Sequence, residues 1–271
     1  MSHPLALSHL SALDVAPVDL APAAAKAGFH AFGIRMNPAA PGAIEYPLRR
    51  GTTEIAALKR VLAECAIGIW DIELIPLTPG IDLDLYRPMF EAGAELGARR
   101  LNVSGDDQDL ARLADTFARL CAMAADYGLG VDLEFMRWRA VGTLAQARQV
   151  IERAGAPNGG ILLDMLHIFR AWSTVADVAA LPKGLITGAQ IADAPLAAPP
   201  DDRIIEEARN HRQPPGLGEL PLADLVRALG PAVPYSVEVP RPPGSDMPLD
   251  RHLTRLFETS QALLAAATAS P

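Results

Sequence analysis

Four apolar stretches of the chain are each interrupted by side chains able to do chemistry. Val-Asp-Leu-Glu-Phe carries Glu134. Ile-Leu-Leu-Asp-Met-Leu-His carries Asp164 and, three residues on, His167. Gly-Ala-Gln-Ile-Ala-Asp carries Gln190 and Asp193, and Tyr-Ser-Val-Glu-Val-Pro carries Glu238. Taken singly, each reads equally well as a solvated loop residue or the partner of an arginine. Together they raise an energetic question, because a carboxylate in an apolar strand loses its hydration and three carboxylates brought together repel one another. A divalent cation removes both difficulties. Three carboxylates with one amide oxygen form a hard donor set that suits Mg²⁺ or Mn²⁺ and can also take Zn²⁺ or Co²⁺.

Such a set is useful only if the chain folds so that these residues meet. Short runs almost continuous in apolar residues occur at 5–10, 31–36, 67–76, 100–104, 130–135, 160–166, 186–192 and 235–239. Stretches with helical spacing fall at 18–27, 53–65, 85–96, 107–127, 143–154, 175–181, 222–229 and 250–266. Near-continuous apolar strands are those covered on both faces, as in a parallel sheet. Eight strand–helix units in 271 residues predict a (β/α)₈ TIM barrel forming one domain over residues 1–271. A doubly wound open sheet is the alternative, but neither GxGxxG after the first strand nor a Walker A sequence is present. In a barrel the four site-bearing runs end at one mouth, where chemistry resides. The proline-rich segment 193–220 is expected to be a long irregular loop covering that mouth.

Composition narrows the partners. Lys+Arg number 24 against 32 Asp+Glu, a formal charge of −8, which disfavours broad electrostatic capture of nucleic acid or anionic lipid. Apolar runs are too short for a membrane-spanning helix, and no signal peptide is evident, so a cytoplasmic protein is expected. Cys65 and Cys121, far apart in sequence, read as reduced thiols rather than a disulfide framework or zinc knuckle.

At Glu134, Asp164-x-x-His167, Gln190 and Glu238 the sequence resembles the xylose-isomerase-like TIM-barrel superfamily. That superfamily holds sugar isomerases, ketose 3-epimerases, inosose dehydratases, endonuclease IV and 3-dehydroshikimate dehydratases. Its Arg-x-x-Pro-Gly-x-Gly pattern appears as Arg212-Gln-Pro-Pro-Gly-Leu-Gly218. The resemblance implies that Glu134, Asp164, Gln190 and Glu238 hold one divalent metal, and that His167 and Arg212 contact substrate. Many epimerases of the family have His where this chain has Gln190, and glutamine there is similar to the dehydroshikimate dehydratase branch. The histidine-based metal sites of endonuclease IV are not matched. The resemblance also allows a homo-oligomer, with no interface legible.

The shared chemistry is removal of a proton from carbon beside a carbonyl, with a metal stabilising the enolate. Epimerisation, isomerisation and dehydration all start there. The first expectation is a metal-dependent sugar isomerase or epimerase in which Glu134 and Glu238 exchange the proton. A 3-dehydroshikimate-type dehydratase, a lyase with Glu238 or His167 as base, is the second. A non-catalytic barrel subunit is the third. His9, Arg35, Glu73 and Asn102 at other strand ends, and Trp138 after Glu134, are candidates to shape the substrate pocket. Arg35, Arg137, Arg139 and Arg212 together predict a basic mouth and an anionic hydroxy-carbonyl substrate.

Overall fold

The computed structural model describes residues 3–241 and 246–269. Eight parallel strands close into a barrel in sequence order. They are β1 (Leu5–Leu7), β2 (Ala31–Arg35), β3 (Gly68–Leu77), β4 (Arg100–Gly105), β5 (Gly130–Glu134), β6 (Gly159–Asp164), β7 (Ile186–Ile191) and β8 (Tyr235–Val237). The ring closes where β1 pairs with β8, Leu7 opposite Val237. The helices are α1 (Pro17–Ala27), α2 (Thr53–Cys65), α3 (Arg87–Leu96), α4 (Leu110–Ala125) and α5 (Leu144–Ala154), then α6 (Met165–Arg170), α7 (Val175–Ala179), α8 (Ile204–Asn210), α9 (Leu222–Leu229) and α10 (Leu249–Thr268). The chain is therefore the (β/α)₈ barrel that the alternation predicts. No helix among the described residues is long and apolar enough to cross a membrane.

Local sequence explains the helix boundaries. Thr143 accepts from the backbone N–H of Gln146, whose side chain reaches back to the N–H of Thr143 and starts α5. Asp109 accepts from two first-turn N–H groups of α4. The apolar faces of these helices pack on the outer side of the strands: Phe117, Leu120 and Val150 are fully buried. Removing such side chains from water is the main source of stability for the two-layer arrangement.

The barrel interior is unusually polar, and inward-facing positions carry Ser8, Arg35, Asp71, Glu73, Asn102, Asp132, Glu134, Asp164, Gln190 and Glu238, all buried. At one level Arg100 of β4 and Thr187 of β7 both donate to Asp132 of β5. Buried charges of this kind persist only when paired.

Three expectations about local structure are corrected. The first strand ends at Leu7, not at residue 10, and the chain turns into a short 3₁₀ segment, His9–Ala12, started by the Ser8 side chain. The sixth strand ends at Asp164, and Met165–Arg170 is helical rather than strand. The segment 193–220 is not wholly irregular: it contains Asp201–Arg203 as 3₁₀ helix and α8. A proline-rich composition masked α8, whose own seven residues contain no proline.

Candidate metal and substrate site

The site is assembled at the C-terminal ends of β5 to β8. Glu134 is the last residue of β5 and Asp164 the last of β6, where it stands opposite Gln190 of β7. Gln190 in turn stands opposite Ser236. Glu238 follows β8, and its N–H still donates to the Ile191 carbonyl at 3.1 Å. All four residues are buried, none more than 5% exposed. Asp164 does two jobs: its Oδ1 accepts from the N–H groups of Leu166 and His167, capping α6. That cap fixes the first turn and swings His167 back over the strand end. His167 Nε2 then lies 3.6 Å from Glu134 Oε1 and 3.9 Å from Asp164 Oδ2.

Each carboxylate has a distinct environment. Asn102 donates to Glu134 Oε2 at 3.0 Å. Glu238 Oε1 accepts from Ser8 Oγ at 2.6 Å and from Gln190 Nε2 at 2.8 Å. Arg212 bridges the remaining oxygens, 2.5 Å from Asp164 Oδ2 and 2.9 Å from Glu238 Oε2. Burial, then the charges of Glu238 and Asp164, push the Glu134 carboxyl up to about 8. Burial likewise raises Glu238 to about 7, against the pull of Arg212. Burial alone would raise Asp164 too, but Arg212 and then His167 hold it down to about 2. Desolvation lowers His167 to about 4, so its imidazole is neutral at physiological pH.

Two of the expected ligands, Glu134 and Asp164, come together with His167, rather than with Glu238, in a group that could hold a divalent ion. Glu134, Asp164 and His167 each offer a ligand atom within 4.8 Å of the others. Gln190 Oε1 is buried without a hydrogen-bond partner, an unsatisfied acceptor that needs a cation or a donor. Oxygen donors dominate, which suits a hard ion.

Beside these residues lies a cavity of about 600 Å³. Of the residues singled out in the sequence, Arg35, Asn102, Glu134, Trp138, Arg139, His167, Arg212 and Glu238 line it. Trp138 packs edge-on against His167, with ring centroids 5.0 Å apart. His9 is placed differently. It is fully buried, its Nδ1 accepts from the Arg35 N–H, and its Nε2 meets the Val15 carbonyl, so neither nitrogen is free for substrate. Glu73 is also turned away from the cavity: its Oε2 accepts both Nε and Nη2 of Arg35, at 3.0 and 2.8 Å.

The mouth is not basic in the way the sequence predicts, because each expected arginine already has acidic company. Arg35 pairs with Glu73, Arg137 with Asp201, Arg139 with Asp106, and Arg212 with Asp164 and Glu238. Arg209, in the last turn of α8, lines the cavity and has no acidic partner among the described residues.

The Arg-x-x-Pro-Gly-x-Gly pattern has a structural explanation. Asp193 Oδ2 accepts from the N–H groups of Gly216 and Gly218, and Oδ1 from those of Ala194 and Leu220. A Cβ at position 218 would sit 2.3 Å from Asp193 Oδ1, so only glycine lets the backbone approach. Backbone hydrogen bonds in both directions between Asp193 and Gln213 complete the tie that holds Arg212 over the site. The buried pair Arg170–Glu207 anchors α8 to α6 in the same way.

Sequence reasoning missed two interior groups. Ser8 links Glu238 to Glu73 Oε1, 3.3 Å away. Asp71, two residues before Glu73 on the same strand face, is buried with Oδ1 unpartnered, and only a glycine at position 33 leaves room for it. Strand alternation from Ala6 and Glu73 was the signal that could have found both.

A closed parallel barrel with a cluster of acidic groups at its C-terminal mouth defines a (β/α)₈ protein with a candidate metal site. The chain matches the xylose isomerase-like TIM barrel family over residues 21–263 and belongs to that family. It is 36% identical over 156 residues to the 3-dehydroshikimate dehydratase of Pseudomonas aeruginosa, and 30% over 158 residues to that of Pseudomonas putida. Each match takes in 56% of this chain and only 24% of the relative, so the chain spans about a quarter of the length of those proteins. Among solved structures, the IOLI protein with a bound zinc atom superposes with a TM-score of 0.80 at 18% identity, over the whole of both chains. D-allulose 3-epimerase from Methylomonas sp. superposes at 0.70 and 16% identity, over 96% of this chain and 97% of that one. At these identities the two structures speak for the fold.

Proposed function

We propose that the chain is a divalent-metal-dependent lyase that dehydrates a carboxylated hydroxy-carbonyl compound of the 3-dehydroshikimate kind. The observation that carries the reading is Gln190, whose Oε1 is buried and unpartnered while its Nε2 donates to Glu238 Oε1. The names of the two Pseudomonas relatives and the free Arg209 on the cavity wall support it. They reverse the order in which the sequence alone ranks epimerase and dehydratase.

Glu134, Asp164, Gln190 and Glu238 would hold the ion. When bound, it supplies positive charge against the substrate oxygen that becomes negative as the proton leaves. Neutral His167 takes that proton from the carbon beside the carbonyl. The imidazolium so formed is favoured by Asp164, whose Oδ2 lies 3.9 Å from Nε2. The C–H electron pair passes into the adjacent carbon–carbon bond as the neighbouring C–O bond breaks. His167 returns its proton to the departing hydroxyl, which leaves as water with no net change in protonation of the protein. Trp138 fixes the imidazole plane from one side, and Arg209 holds the substrate carboxylate.

Ketose epimerisation is the second reading. It is favoured by the pair Glu134 and Glu238, both held near neutrality, as a two-base exchange requires.

Incubation with 3-dehydroshikimate and Mn²⁺, followed by ultraviolet absorbance of the aromatic product, tests the proposal. Aromatisation that is lost on chelation is the expected result. No product, with epimerisation of a ketose under the same conditions, overturns it in favour of the second reading. Metal binding with no turnover of either substrate points to a non-catalytic barrel.

A further inference from the structure

Arg212 occupies an unusual position for a residue expected to meet substrate. Its side chain is 2% exposed, and each part of the guanidinium fork has a partner. Nε donates to the Ala208 carbonyl of α8 at 2.7 Å, Nη1 to Asp164 Oδ2 and Nη2 to Glu238 Oε2. The carboxylate oxygens it takes are the ones left over by the rest of the fold. Asp164 Oδ1 is committed to the cap of α6, and Glu238 Oε1 to Ser8 and Gln190. Arg212 therefore holds the last uncommitted oxygen on each of two expected metal ligands.

Charge makes the arrangement consequential. Without a cation, Asp164 and Glu238 would be buried side by side and would repel each other. A guanidinium matches two carboxylate oxygens with directed hydrogen bonds and cannot lose its proton. It thus supplies, from within the chain, the positive charge that a divalent ion would otherwise bring.

We infer that Arg212 is a resident counter-cation that keeps the metal-free site assembled and gives up its hold on Asp164 and Glu238 when a divalent ion enters. The inference rests on the metal reading above and adds an antagonism to it. The price of preassembly is weaker metal binding, because the entering ion must displace or tolerate a fixed positive charge beside its ligands. Arg212 follows α8, in the segment that runs to Leu220, rather than standing on a barrel strand.

The test is Mn²⁺ titration by calorimetry, with thermal unfolding in the presence of chelator and of saturating Mn²⁺, on wild type, Arg212→Gln and Arg212→Lys. For Arg212→Gln the inference expects Mn²⁺ to bind about tenfold more tightly than to wild type, as removal of a neighbouring unit charge dictates. It also expects a lower Tm in chelator and a larger rise in Tm on adding Mn²⁺. Arg212→Lys keeps the charge without the fork and should fall between the two, which keeps the test informative if the glutamine variant folds poorly. Unchanged or weaker Mn²⁺ binding in both variants, with an equal loss of Tm in chelator and in Mn²⁺, makes Arg212 a structural tie and overturns the inference alone. No Mn²⁺ binding to any of the three proteins overturns the metal reading and the exchange with it.

Discussion

His167 Nε2 stands 3.6 Å from Glu134 Oε1 although Glu134 ends β5 and His167 lies on α6, beyond β6. The contact exists because Asp164 ends β6 and caps α6 at once, so the first turn of that helix carries the imidazole back across the barrel mouth. The same pair joins an expected ligand to an expected base. Its parts can be separated by mutation.

Replacing His167 with Asn is expected to lower turnover by about 10²- to 10⁴-fold, the usual contribution of a general base. Mn²⁺ affinity should change little, because the proposed ligands are oxygen atoms on other residues. Steady-state kinetics beside a calorimetric titration checks both halves. A collapse in Mn²⁺ affinity would instead make His167 a ligand.

Metal affinity should rise with pH. With the Glu134 and Glu238 carboxyls raised to about 8 and about 7, both are largely protonated in mildly acidic solution, and an ion must displace those protons to bind. Affinity is therefore lowest below the two values and levels off above about 8. Titration in two buffers of different ionisation enthalpy at neutral pH should show net proton release. The absence of release would place both carboxylates in the ionised form before metal arrives.

Arg209→Gln is expected to raise KM for a carboxylated substrate by about tenfold or more, the scale of one lost charge-assisted hydrogen bond, with kcat little changed. A compound lacking the carboxylate should be indifferent to the change. Equal effects on both compounds would remove Arg209 from substrate recognition.

Asp193→Asn should destabilise the protein by about 1–3 kcal/mol, since an amide nitrogen cannot accept from the N–H groups that the carboxylate now satisfies. Urea unfolding measures the loss. Limited proteolysis should then cut first between residues 193 and 220, where the four N–H donors Ala194, Gly216, Gly218 and Leu220 reside.

The strands were legible because a parallel barrel strand is covered on both faces and must be apolar along its length. The interruptions at Glu134, Asp164, Gln190 and Glu238 were legible for the same reason, since a buried carboxylate or amide stands out against that background. Helix α8 was hidden by flanking prolines. Helix α6 was hidden because Met165 and Leu166 read as a continuation of an apolar strand.

Charge balance at the mouth was out of reach of the sequence. Arg35, Arg137, Arg139 and Arg212 are identical in type, and nothing along the chain distinguishes a free arginine from a neutralised one. Glu73, Asp201, Asp106 and the Asp164–Glu238 pair reach them only through the closure of the barrel and the path of its loops.

By itself, then, the sequence determined the eight-unit barrel and the residue types at its mouth, because burial and strand periodicity are written locally in the order of apolar side chains. Tertiary structure decided which of those residues face the cavity, which cavity-lining arginine has no acidic partner among the described residues, and that Arg212 lies between Asp164 and Glu238. Those outcomes depend on distances between segments far apart in the chain, and Coulomb and hydrogen-bond energies are set by such distances rather than by sequence order.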